Sequence, residues 1–171
     1  KDPQEVENFY RIKLTVVDYL ANGIRVNNYQ YFGSDDPVFK TTSEEGIFGE
    51  LDGGSYRQNY IFSDALFNGK EYGLKVFTDF FTNNYTESTS PKDEDPNNPN
   101  KLVKKELVLE LQSISKSYYL YLKTLEASNG NDIGLFSEPV QIHNNIVGGI
   151  GLFGSYNTNF FHFEVRKDIG N

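Results

Sequence analysis

The chain has no cysteine, which removes disulfide cross-links, thiolate metal sites and cysteine nucleophiles together. It does not assign a compartment, since many secreted bacterial domains lack disulfides. Histidine is scarce: only His143 and His162 are present. No apolar run is long enough to span a bilayer as a helix, and no signal-peptide pattern is found. The metalloprotease HExxH, the hydrolase GxSxG and a Ser/His/Asp grouping are all missing. The sequence opens Lys1-Asp2-Pro3 without an initiator methionine, so we read it as a processed or trimmed piece.

What is there is aromatic. Twelve Tyr and 14 Phe lie within 171 residues, in a 37% hydrophobic composition. That is enough apolar surface for one domain with a real core, and Tyr and Phe suit half-buried pleated surfaces. The formal net charge of −8 makes nucleic acid a poor partner, because phosphate backbones repel an acidic chain; solubility is the simpler reason for the acidity.

Periodicity then orders the elements. Phe9 to Val17 alternates Tyr10, Ile12, Leu14 and Val16 with Arg11, Lys13 and Thr15, the period of a strand with one wet face. Asn22-Gly23 offers a hairpin turn, after which 25–32 resumes as a strand. Ser34-Asp35-Asp36-Pro37 breaks the pattern, and Val38 to Arg57 is Gly-rich and irregular. After the apolar Tyr60-Ile61-Phe62, a tight or helical turn is expected over 63–69. Tyr72, Leu74, Val76 and Thr78 predict a further strand within 71–81. Residues 83–100, with Pro91, Pro96 and Pro99, read as a flexible loop. Leu102 to Ile114 is a strand, and a helix near 115–128 follows: Ser115 is its N-cap, Tyr118, Tyr121, Leu122 and Leu125 make one stripe, and Asn129-Gly130 ends it. The spaced Gly148, Gly149, Gly151 and Gly154 suit a strand lying close against another element, with a last strand over 160–165. The expected fold is mainly β, a single antiparallel β-sandwich of immunoglobulin or fibronectin type with one inserted α-helix.

Several blocks in fixed order carry a family resemblance: DPQEVENFYRIKLTV, FSDALFNGKEYGLKV, ELVLELQSISKSYYLYLKTLE and FSEPVQIHNNIVGGIGLFGSY. Together they resemble the Bacteroidetes family filed as domain of unknown function 4249, over nearly the whole chain. The resemblance implies an exported, lipid-anchored outer-membrane parent, on the cell surface or periplasmic face, encoded beside a TonB-dependent transporter as partner. Family members carry a lipidated segment and an immunoglobulin-like domain ahead of the Asn-Phe-Tyr-Arg strand. The chain therefore corresponds to the C-terminal part, with any membrane tether in that N-terminal portion. The family offers no catalytic residues to carry over.

Each candidate site has a simpler competing explanation. His143 in QIHNN and His162 between two phenylalanines are better read as structural or surface residues than as ligands. Asp35-Asp36, Glu44-Glu45 and Asp93-Glu94-Asp95 lack the alternation and glycine of a calcium loop and read as solvated acidic stretches. Gly149, Gly151 and Gly154 fit the letters of a dinucleotide fingerprint, but no strand–helix unit surrounds them. Asn84-Tyr85-Thr86 matches a glycosylation sequon that is incidental in a bacterial chain. Tyr29, Tyr56 and Tyr119 are the ligand-binding candidates, as exposed rings that could seat a glycan or peptide; Tyr118 is expected to face inward. No metal or cofactor is expected. The expected function is a non-catalytic accessory module assisting nutrient capture beside the transporter; the alternative is a structural or adhesive surface module. A hydrolase would need paired carboxylates, or His143 with a Ser or Asp, across a pocket.

Overall fold

The computed structural model describes residues 6–40, 57–78, 98–130 and 140–165. The elements are β1 (Phe9–Leu20), β2 (Arg25–Gln30), α1 (Pro37–Lys40), β3 (Asn59–Ser63), β4 (Leu102–Ile114), α2 (Lys116–Gly130) and β5 (Tyr156–Glu164). The fold is mainly β and antiparallel, consistent with the expected sandwich class. The described strands form one open sheet in the order β2-β1-β4-β5, with β3 also beside β1. β1 is long enough to take β3 along its first half and β2 along its second, while β4 runs the length of its other edge. Among the described residues, no helix is long and apolar enough to cross a membrane.

The expected hairpin is present. Gly23 takes the left-handed φ of +82° that the turn requires, the Gly23 amide donates to the Leu20 carbonyl at 2.9 Å, and the Asn22 side chain accepts from the Ile24 amide at 3.0 Å. β2 stops at Gln30 rather than running to 32, because Phe32 and Gly33 leave it to form single bridges with Arg57 and Phe77.

Alternation along β1 separates two cores. Ile12 and Leu14 point into one, with Phe32, Val38, Phe39, Tyr60 and Phe62. Phe9 points the other way, to Ile61, Ile114 and Tyr119. The run Tyr60-Ile61-Phe62 is thus buried on both faces, which is why it shows no polar alternation. α2 covers the second core and begins as expected: the Ser115 carbonyl accepts from the Tyr119 amide at 2.9 Å, and its hydroxyl accepts from the Tyr118 amide at 3.4 Å.

Three expectations are corrected. A second helix exists: Asp36 caps the short α1, its Oδ1 accepting from the Val38 amide at 3.1 Å with Pro37 in the first helical position. The segment 71–78 is not a strand. At its middle the Lys75 backbone is taken instead by side chains, its amide donating to Asp36 Oδ2 at 3.1 Å and its carbonyl accepting from the Ser34 hydroxyl, and the Phe77 backbone makes a single bridge to Gly33. The glycine block before β5 is a loop. Gly148 sits at φ +75°, Asn144 Oδ1 accepts from the Ile146 and Gly151 amides, and Asn145 Oδ1 accepts from the Phe153 amide. The close approach expected of these glycines is found at Gly154, where a Cβ would lie 3.0 Å from Tyr118. The described turn over 65–69 agrees with expectation, and most of the 83–100 loop lies outside the described residues.

Candidate functional site

Where α2 crosses the ends of β1 and β3, a cleft of about 370 Å³ opens. Its floor is Phe9 and Tyr119, two core rings with centroids 4.6 Å apart. Ala65, Leu66 and Leu120 form apolar walls, and Lys116, Lys123 and Glu7 supply charge at the margin. The lysines are two helical turns apart and so share one face of α2. Lys123 Nζ lies 5.8 Å from the centre of the Tyr119 ring.

Tyr119 is only 6% exposed, so the expectation of an exposed aromatic platform there is corrected. The helix turns Tyr119, rather than Tyr118, most fully inward, because position 119 faces Phe9 across the sheet end. Burial, with the carboxylates of Glu7 and Glu126 nearby, pushes the Tyr119 hydroxyl above its ordinary pKa. Tyr118 is half-buried, and its hydroxyl accepts from Arg11 Nη1 at 3.0 Å. Glu126, raised by burial and lowered by Arg57, pairs with Arg57 at 3.4 Å.

Tyr29 is 66% exposed on β2, opposite Thr15. It shares a sheet face with Phe9 but stands six residues along β1, roughly 20 Å away at strand rise. The structure therefore does not bring Tyr29 and Tyr119 into one site, and Tyr56 lies outside the described residues.

A second polar constellation lies on the same sheet face. The Tyr19 hydroxyl donates to Glu106 Oε2 at 2.6 Å, Lys104 donates to Glu106 Oε1, and His162 Nδ1 lies 3.6 Å from Oε2. Arg25 and Lys104 both stand over the Tyr19 ring, at 5.2 and 5.4 Å. The bonds from Lys104 and Tyr19, opposed by burial, hold the Glu106 carboxyl down at about 2. The bond to Glu106 raises both Tyr19 and Lys104. His143 is held by its backbone, its amide donating to Thr124 Oγ1 at 2.9 Å. Among the described residues, no group of three or more His, Asp and Glu is placed to hold a metal.

Sequence reasoning missed Glu7, Lys116 and Lys123; the seven-residue spacing of the lysines on a predicted helix was the available signal. It also missed the apolar surface ahead of and along β5. Val147 and Ile150 are fully exposed, Phe153 is 80% exposed, and Phe160, Phe161 and Phe163 are about half exposed.

No curated protein and no solved structure matches the chain. One family model does, over residues 1–159, and on that match the chain belongs to the family described as Domain of unknown function (DUF4249).

Proposed function

We propose that this domain is a non-catalytic capture module of a surface-displayed lipoprotein, serving nutrient uptake beside a TonB-dependent outer-membrane transporter. The observation that carries the reading is the cleft: an aromatic floor and aliphatic walls, with two lysines on one side. Apolar rings supply area at low conformational cost, and a small number of charged groups fixes orientation. The combination suits a peptide that ends in an apolar residue with a free carboxylate better than a neutral glycan, since the lysines would otherwise face an uncharged ligand. The family resemblance is what supports reading an outer-membrane setting and a transporter partner.

The test is heteronuclear NMR titration of the domain with free-carboxylate peptides, their C-terminal amides and neutral oligosaccharides. Saturable shifts at Phe9, Leu66, Lys116 and Lys123 with the free acids, weakened by amidation and in a Lys116→Ala/Lys123→Ala variant, are expected. No saturable shift with any probe would refute capture at this cleft. Co-purification with the transporter from native membranes tests the setting separately.

The alternative, a structural or adhesive surface module, is favoured by the fully exposed Val147 and Ile150, because side chains of that kind in a contiguous stretch mark a contact surface. Replacing both by Ser would abolish adhesion in that case and leave peptide binding unchanged.

A further inference from the structure

β5 ends the sheet, with β4 on one side and no described strand on the other. Long sheet edges are ordinarily blunted by lysine, proline or a bulge. β5 has none of these: Tyr156–Glu164 contains no Lys, Arg or Pro, and its pairing with β4 runs nine residues without a register shift. Its side chains are open as well, with Tyr156 at 62%, Phe160 at 59% and Phe163 at 53% exposed.

The register fixes which backbone groups face outward. The Val165 amide donates to the Lys105 carbonyl at 3.0 Å, and the Ser115 amide donates to the Ser155 carbonyl at 2.9 Å. Hydrogen-bonded and non-hydrogen-bonded pairs alternate along an antiparallel ladder. The odd-numbered residues of β5 therefore bond to β4, and Tyr156, Thr158, Phe160, His162 and Glu164 direct their N–H and C=O groups away from the sheet.

We infer that this edge pairs with β5 of a second copy of the chain, antiparallel and about a two-fold axis at Phe160, to make one continuous sheet across a homodimer. A register centred on a residue, rather than between two, sets outward-facing groups opposite each other, and Phe160, the middle one of the five, is the centre that uses all of them. In that register Phe160 meets Phe160, Thr158 meets His162, and Tyr156 meets Glu164 in both directions. All outward groups are used, giving about ten backbone hydrogen bonds. The side chains are complementary too. The charged groups on the edge are Glu164 and, when protonated, His162. Each Glu164 comes opposite a tyrosine, the combination that Tyr19 and Glu106 already form at 2.6 Å within the sheet. No like charges oppose each other, although the chain as a whole carries −8. On the reverse face, Phe161 stands opposite Asn159 and Phe163 opposite Asn157, covering rings that are otherwise half exposed. The cleft opens at the ends of β1 and β3, with β4 lying between β1 and this edge.

Sedimentation and light scattering over a range of concentrations are expected to show the mass rising from 19.5 kDa to twice that value. Phe160→Lys sets like charges opposite each other at the axis and should raise the dimer dissociation constant at least about tenfold, with the melting curve at monomer concentrations unchanged because the side chain is exposed. The chain has no cysteine, so a single introduced thiol reads the register directly. Phe160→Cys should cross-link to a covalent dimer under mild oxidation, since opposed Cα atoms at roughly 5.5 Å suit a disulfide, whereas Tyr156→Cys should not. A chain that stays monomeric at millimolar concentration, a Phe160→Lys variant that dimerises as well as the parent, or a Tyr156→Cys variant that cross-links as readily as Phe160→Cys overturns the proposal.

Discussion

Replacing Glu106 with Gln removes one charge from the middle of the open sheet face and leaves a side chain of nearly the same shape. The Glu106 side chain is only 12% exposed, and its carboxyl is held at about 2 against an ordinary value of 4.5. At about 1.4 kcal/mol per unit, the native contacts favour the charged form by at most roughly 3 kcal/mol. Lys104 is 41% exposed, so solvent screens part of that, and we expect a loss of about 1–2 kcal/mol at pH 7. The sign follows from the depression: the stabilisation is complete above the unfolded-state value near 4.5 and disappears as pH falls toward 2. At pH 3 roughly 40% of the plateau should remain. Urea denaturation of parent and Glu106→Gln proteins at pH 7, 5 and 3 gives the difference directly and cancels the other carboxylates. Raising the salt to 0.5 M should shrink it. Two denaturation curves separated by the same amount at every pH would refute the reasoning, because the penalty would then come from shape rather than charge.

Tyr119→Phe should cost less than about 1 kcal/mol, since the ring against Phe9 is kept, whereas Tyr119→Ala opens a cavity in the second core and should cost about 3–5 kcal/mol by thermal melting. Asp36→Ala strands the Val38 and Lys75 amides and the Tyr72 hydroxyl, all of which donate to Asp36, and should lower stability by about 2–4 kcal/mol; hydrogen exchange at Lys75 should speed up with it. Gly33→Ala puts a Cβ within 2.4 Å of the Phe77 ring. It should cost about 1–3 kcal/mol, and adding Phe77→Ala should make the second substitution less harmful than it is alone. Tyr29→Ala should leave the melting temperature unchanged, because its ring is 66% exposed; a fall of several degrees would mean that the ring is packed.

The elements with a strong local period were legible in advance. β1, β4 and the Ser115-capped α2 follow from alternation, helical spacing and a hydroxyl at the right place, each a preference expressed within a few residues. The Asn22-Gly23 hairpin is equally local. Where the reading failed, a side chain from elsewhere had replaced a backbone partner. Tyr72 to Thr78 has the alternation of a strand, yet Asp36 and Ser34 take up the backbone groups of Lys75 at its middle. The loop before β5 differs in that its own side chains, Asn144 and Asn145, close it.

By itself, then, the sequence determined that β1, β4 and α2 form and where the Asn22-Gly23 hairpin turns, because backbone preference and hydrophobic period act over one or two turns. Tertiary structure alone decided that Tyr119 is buried while Tyr29 is exposed, that Lys116, Lys123 and Glu7 meet at one cleft, and that β5 is an end strand among the described residues. The reason is geometric: the depth of a ring and the neighbours of a strand are set by which elements pack together across long stretches of chain, and no local period encodes that choice.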